Sequence, residues 1–214
     1  MRLFAAIVPP RPVLEELAEV ARPDRAPADP RPAPRGLLRR LSGRSSAPVA
    51  GAASVDDPEL DRPTLDQMYL PITSFGNVTT GDAVKLANSL RAEAETWQRP
   101  EVRFAGGAAL EFPGDESVWA KLDGDIDALM TIGRGVPLLV QRLGFFVDRR
   151  QFRPWLSLGT ITDHTTAPYL QEVVDALDAF EGRTWTVESV VLMKRLVESG
   201  SEDFEEVERM PLGA

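Results

Sequence analysis

The chain holds a single histidine, His164, in the run His164-Thr165-Thr166, an imidazole followed by two hydroxyls. An imidazole of near-neutral pKa can take or give a proton at pH 7. One histidine cannot serve as both the base and the acid of one displacement. Its position, after an extended stretch and just before a helical one, suits a surface loop in which Asp163, Thr165 or Thr166 caps the helix. There is no cysteine, which excludes disulfides, thiolate nucleophiles and cysteine metal sites. With no second histidine either, a metal site is not expected. The acidic clusters Asp56-Asp57-Glu59-Asp61 and Glu202-Asp203-Glu205-Glu206 lack the glycine-centred spacing of a calcium loop and read as solvated charge. No cofactor is expected.

Charge is unevenly spread. The 214 residues carry 24 Lys and Arg against 33 Asp and Glu, a formal net charge of −9. Residues 22–44 hold seven arginines and two aspartates, a local net of +5, which leaves −14 on the remainder. The acidic balance argues against a bulk nucleic-acid coat but not against a local groove. The stretch 22–62 is rich in Pro, Ala, Arg, Ser and Gly, and its prolines forbid a long regular element. It reads as a disordered insertion, with a short helical turn at 36–41, inside one domain that spans residues 1–214. A solvated linker is the plain reading. A basic arm contacting RNA or an acidic surface is the sharper one. No apolar run approaches the roughly 18 residues a membrane span needs, and the opening Met1–Pro10 reads as a strand, too short in its apolar part for a signal peptide. A monomer in the cytoplasm, with no membrane contact, is the expectation.

The elements that must position any site follow from periodicity. Residues 2–8 are apolar on both sides, as a strand covered on both faces would be. Pro12 opens a helix carrying Val13, Leu14, Leu17 and Val20. Residues 67–76 alternate like a strand, and Thr79 or Thr80 caps a helix over 81–97 with Val84, Leu86, Leu90 and Ala94 as its stripe. Strands at 102–105 and 118–122 flank a turn region at 106–116. A helix from 125 to about 143 is expected to break or kink at Gly133–Pro137. A strand at 153–161, a helix at 166–180, a strand at 185–193 and a last strand at 204–210 follow. Two similar blocks in succession, each a strand, a helix and a pair of strands, imply an α+β protein of pseudo-twofold, bilobal form with a cleft between two sheets.

Several of these segments resemble the 2H phosphoesterases, and more narrowly the bacterial RNA 2′,3′-cyclic phosphodiesterases, the 2′-5′ RNA ligase family. The opening Met1-Arg2-Leu3-Phe4-Ala5-Ala6-Ile7 is similar to the start of that family. Gly106–Pro113 resembles its Gly-rich stretch before Phe-Pro, Val118-Trp119-Ala120 the strand that follows, Phe152-Arg153-Pro154 the lead-in to the second motif, and Thr186–Met193 the penultimate strand. Only residues 22–62 lie outside the likeness. It implies two antiparallel sheets around a central cleft with outer helices.

The resemblance also implies two His-x-Thr/Ser motifs, one per lobe. One imidazole takes a proton, the other protonates the leaving oxygen, and the hydroxyls hold the phosphate oxygens. Residues i and i+2 of a strand share a face, so each motif aims both groups into the cleft. Here the motif positions fall on Tyr69-Leu70-Pro71 and Trp155-Leu156-Ser157. Both histidines are replaced, and Ser157 alone matches. Tyrosine is a poor base at neutral pH, an indole only donates, and proline offers no side-chain hydrogen bond. Losing a general catalyst costs on the order of 10²–10⁴ in rate. The expectation is a degenerate member without catalytic residues, binding a nucleotide, an RNA end or a protein partner through Phe4, Tyr69, Thr73, Arg153, Trp155 and Ser157. Thr73 is expected on the face of Tyr69 and Pro71. The two aromatics could stack a base, or simply fill the vacated site. The alternatives are a cyclic phosphodiesterase with altered catalytic residues and an RNA-binding module using the Arg-rich stretch.

Overall fold

The computed structural model describes residues 1–22, 59–112, 115–148, 150–198 and 201–213. Most of the expected insertion, the turn at 36–41 and the acidic pair Asp56-Asp57 lie outside the described residues. The chain runs β1 (Arg2–Ile7), α1 (Arg11–Val20), β2 (Leu60–Asp61), a 3-10 turn (Leu65–Gln67), β3 (Leu70–Asn77), α2 (Thr80–Ala94), β4 (Glu101–Phe112), β5 (Asp115–Gly124), α3 (Ile126–Arg142), β6 (Trp155–Ile161), α4 (Ala167–Asp178), β7 (Trp185–Thr186), β8 (Ser189–Glu198) and β9 (Ser201–Pro211). The strands form two antiparallel sheets, β3-β1-β8-β9 and β2-β6-β5-β4-β7.

The internal repeat is present, but its unit differs from the one expected. Each unit is strand–helix–strand–helix–strand: β1-α1-β3-α2-β4, then β5-α3-β6-α4-β8. The first strand of each unit pairs on one side with the second strand of its own unit. On its other side lies the third strand of the other unit: β8 beside β1, and β4 beside β5. The two units thus exchange their last strands. The extra strands β2, β7 and β9 extend the sheets at their edges.

One face of each sheet is packed under helices. Leu3, Ala5 and Ile7 of β1 and Val118, Ala120 and Leu122 of β5 belong to this core, with Leu86 and Leu90 of α2 and Val173 and Leu177 of α4. Several boundaries move from their sequence-based positions, each for a long-range reason. Residues 60 and 61, assigned from the sequence to the insertion, form a strand, because Leu60 and Asp61 pair with Ile161 and Thr160. Leu60 is in the core, and Arg62 donates to the Ala21 carbonyl and the Tyr169 hydroxyl at 2.8 and 2.9 Å. Residues 106–112 and 115–116 are strand and not turn, since β4 and β5 form one long hairpin. Gly107 sits in that strand because a Cβ there would lie 2.8 Å from Leu177. Helix α3 is continuous through Gly133 and Pro137. The helix surface at Gly133 and Gly135 is filled from outside, by Phe152 and Trp97, so the glycines serve packing rather than a break. The stretch 185–193 divides: Trp185 pairs with Val102 in one sheet, while β8 joins the other. On α2 the buried stripe is Ala83, Leu86, Ala87, Leu90 and Ala94, and Val84 faces outward.

Candidate functional site

The helix-free faces of the two sheets border a cleft of about 1260 Å³. Phe4, Tyr69 and Pro71 line it from the first sheet; Trp119, Arg153 and Trp155 line it from the second. Tyr69 stands just before β3, which carries Pro71, while Trp155 and Ser157 are on β6, and the two strands come into contact.

The first wall is apolar. Phe4, Ala6, Val191 and Met193 form a small buried cluster, separate from the main core, against which Val8, Tyr69 and Phe204 pack. Its centre is three mutually touching rings: Phe4–Tyr69 at 5.2 Å, Phe4–Phe204 at 5.3 Å and Tyr69–Phe204 at 5.1 Å between centroids. The last two contacts are edge-on, a favoured geometry for aromatic pairs. Tyr69 therefore fills the position where the resemblance implies an imidazole. Pro71 is tolerated because β3 is an edge strand, where a missing N–H breaks no inner ladder.

Strand β3 is irregular, and this corrects the placement of Thr73. Its pairing with β1 shifts register twice: Pro71 faces Ala6, Thr73 faces Ala5, and Ser74 faces Phe4. Ile72 and Phe75 are the extra residues, so the strand bulges at each. Past the first bulge Thr73 comes opposite a core-facing alanine. It is 6% exposed and its hydroxyl donates to the Asp148 carbonyl at 3.5 Å. It borders the cleft, yet Ser74 takes the position across from Phe4 that simple alternation assigns to Thr73.

The second wall is polar and aromatic. On β5, Ser117, Trp119 and Lys121 are half-buried, while Val118, Ala120 and Leu122 are buried behind them, as a two-residue period requires. On β6, Trp155 and Ser157 stand opposite Lys121 and Trp119. The Trp155 ring carries two cations, Lys121 Nζ at 5.9 Å and Arg153 Cζ at 5.5 Å from its centroid. Arg153 also pairs with Asp115 at 3.1 Å. Ser157 is half-buried and, two residues from Trp155 and opposite Trp119, shares the face of those two cleft residues. The Trp119 indole nitrogen is buried and has no partner among the described residues. The lead-in to β6 is fixed from behind, where buried Phe152 packs on Gly133 of α3.

Charged groups line the cleft on both sides. Asp115 and Asp148 are engaged by Arg153 and Arg150, the latter at 3.8 Å. Among the described residues no group of acids and histidines could hold a metal ion. His164 lies outside the cleft, on the turn before α4, its backbone N–H donating to the Thr162 hydroxyl at 3.2 Å. Thr166 caps α4, accepting from the Tyr169 N–H, and Thr165 instead bonds the carbonyl of Glu59. The perturbed acid Asp123 is also elsewhere, on the far end of the hairpin. The Gly124 backbone N–H and Arg103 hold its carboxyl below the usual carboxylate range.

Arg2, Ser74, Trp119 and Arg195 are among the cleft residues not singled out from the sequence. Alternation marks Trp119 as sharing the face of Lys121. The others reach the cleft through pairings between distant strands, which periodicity does not encode.

No family model matches the sequence, and no curated protein matches it. Solved structures do. TT0787 of Thermus thermophilus superposes with a TM-score of 0.65 at 16% identity, over 99% of this chain and 98% of that one. E. coli LigT in complex with 3′-AMP gives 0.63 at 15% identity, and LigT with NADP+ gives 0.61 at 15%, each over 100% of this chain and 98% of LigT. A crystal structure described as a phosphoesterase is equally similar, at 0.63 and 15%. The fold is thus the two-sheet α+β fold of LigT and its structural relatives, in agreement with the resemblance drawn from the sequence.

Proposed function

We propose that this chain, built on the LigT fold, binds a nucleotide or an RNA end in the cleft between its sheets and does not hydrolyse it. The observation that carries the reading is the occupancy of the two motif positions. Tyr69 is packed in a ring cluster, Pro71 has no polar side-chain atom, and Trp155 is held between Lys121 and Arg153. None supplies a base or acid suited to neutral pH. The one retained motif side chain, the Ser157 hydroxyl, is by itself neither a general base nor a general acid suited to neutral pH. What remains is a concave site with an apolar aromatic wall, a polar aromatic wall and several guanidinium groups, which suits a planar base joined to an anion. That LigT has been crystallised with 3′-AMP, NADP+ and ATP supports a nucleotide as the ligand.

Two measurements on the full chain test this. Titration with 3′-AMP, followed by indole fluorescence of Trp119 and Trp155, is expected to saturate. An RNA ending in a 2′,3′-cyclic phosphate is expected to survive incubation with the protein. Hydrolysis that disappears in Ser157→Ala would replace this reading with the alternative, a cyclic phosphodiesterase with altered catalytic residues. No binding and no hydrolysis would leave a protein partner for the cleft.

A further inference from the structure

The ladder between β1 and β8 pairs Leu3 with Lys194 and Phe4 with Met193. Carried one residue past the end of that ladder, the register sets Arg2 toward Arg195, and Arg195 is itself paired with Phe204 of β9. Arg2, Arg195 and Phe204 therefore form a row across three strands, on the same face as Phe4 and Met193. Both arginines line the cleft. Like charges directly opposite one another on a sheet are destabilising, so a sequence does not place them there for stability. The Arg2 side chain has no hydrogen bond, ion pair or ring contact among the described residues, and the residue is exposed. The Arg195 guanidinium lies over the Phe204 ring, 5.8 Å from its centroid, which restrains it beside the aromatic cluster. Of the cleft acids, Asp115 of β5 and Asp148, whose backbone N–H donates to the Ser74 carbonyl of β3, are engaged by Arg153 and Arg150.

We infer that Arg2 and Arg195 form a phosphate-holding pair at one end of the cleft, separate from the two motif positions. It selects ligands that carry a second phosphate across a nucleoside. The inference rests on the nucleotide-binding reading above. Arg2 is two residues from Phe4, about 7 Å along the strand, and Phe4 touches the Tyr69 ring. That offset is comparable with the spacing of successive phosphates along a nucleotide chain. A base lying on the aromatic wall would then have one phosphate toward Tyr69 and Trp155 and the next between the two guanidiniums. Each guanidinium offers a planar fork of donors that matches phosphate oxygens.

The test compares 3′-AMP, adenosine 3′,5′-bisphosphate and the dinucleotide pApAp on wild type, Arg2→Gln, Arg195→Gln and the control Lys85→Gln on exposed α2. In wild type the second phosphate is expected to raise affinity at least tenfold at low salt. Either arginine variant should lose that gain while keeping its affinity for 3′-AMP within about twofold. The slope of log K against log salt should fall by about 0.7 for each phosphate contact removed. Lys85→Gln should behave as wild type. Preference for pApAp over the free bisphosphate would identify an RNA end as the source, and the reverse order a free nucleotide; either supports the pair. Equal affinities for 3′-AMP and the bisphosphate, or a gain untouched by both variants, would overturn the inference and leave the nucleotide-binding reading in place. Failure of wild type to bind any of the three would overturn that reading itself. Thermal melts of the variants establish that each is folded.

Discussion

Replacing Gly133 with alanine tests how the fold presents the second aromatic wall. In a helix interior this change is ordinarily favourable by about 1 kcal/mol, because alanine has the higher propensity. Here the new Cβ would lie 2.1 Å from Phe152 Cδ1, 2.5 Å from Cγ and 2.9 Å from its Cβ. Carbon atoms rest at about 3.5–4.0 Å, so the ring or the helix must retreat by roughly 1.5 Å. Phe152 is 6% exposed and has nowhere to turn without disturbing its neighbours. Overpacking of this kind costs about 1–3 kcal/mol, sometimes more, and outweighs the propensity gain. A net loss of about 1–2 kcal/mol corresponds to a melting temperature lower by about 2–8 °C for a chain of this size. Gly81→Ala is the matched control: it too lies in a helix, and its Cβ would meet nothing within 4 Å. It should raise the melting temperature by about 1–4 °C. Because Phe152 leads directly into Arg153 and Trp155, Gly133→Ala should also shift the indole emission and weaken nucleotide binding. A Gly133→Ala protein that melts at or above the wild-type temperature would refute the packing argument.

Three other outcomes follow from the same geometry. Trp155→Ala should reduce nucleotide affinity by about 1–3 kcal/mol, the usual worth of one stacked base, with titration calorimetry as the check. Arg62→Ala removes the bonds to the Ala21 carbonyl and the Tyr169 hydroxyl that tie α1, β2 and α4 together. It should cost about 1.5–3 kcal/mol in denaturant unfolding. Asp123→Asn should lower the melting temperature at pH 7, where the ionised carboxyl accepts from the Gly124 N–H and Arg103, and should matter less as the pH falls through the lowered carboxyl range. An equal loss in acid would contradict that account.

What the sequence made legible was local. Alternation of Trp155, Ser157 and their buried neighbours placed β6, and the 3.6-residue period placed the face of α4 through Leu170, Val173 and Leu177. Misreadings arose where a residue answers to a distant partner. Gly107 looks like a turn until Leu177 is seen against it, and Gly133 like a break until Phe152 fills it. Trp185 belongs with Val102, more than eighty positions away, and so leaves the strand it adjoins in sequence. Thr73 changes face because Ile72 is an extra residue, a bulge that no alternation pattern announces. At the site, the motif positions were visible only through the family likeness. The Arg2–Arg195–Phe204 row comes from the order in which strands enter the sheet, which local pattern leaves open.

The exchange of third strands between the two repeat units bears on how the cleft behaves as a mechanical object. Neither unit owns a complete sheet: β4 leaves the first to complete the second, and β8 does the reverse. The two repeat units are therefore stitched to one another by two inner strands, and the chain crosses between the sheets more than once, so no single linker joins them. Severed between β4 and β5, the chain would yield two halves that each lack one inner strand and carry a spare that fits the other. They should be insoluble alone and regain the cleft only when refolded together.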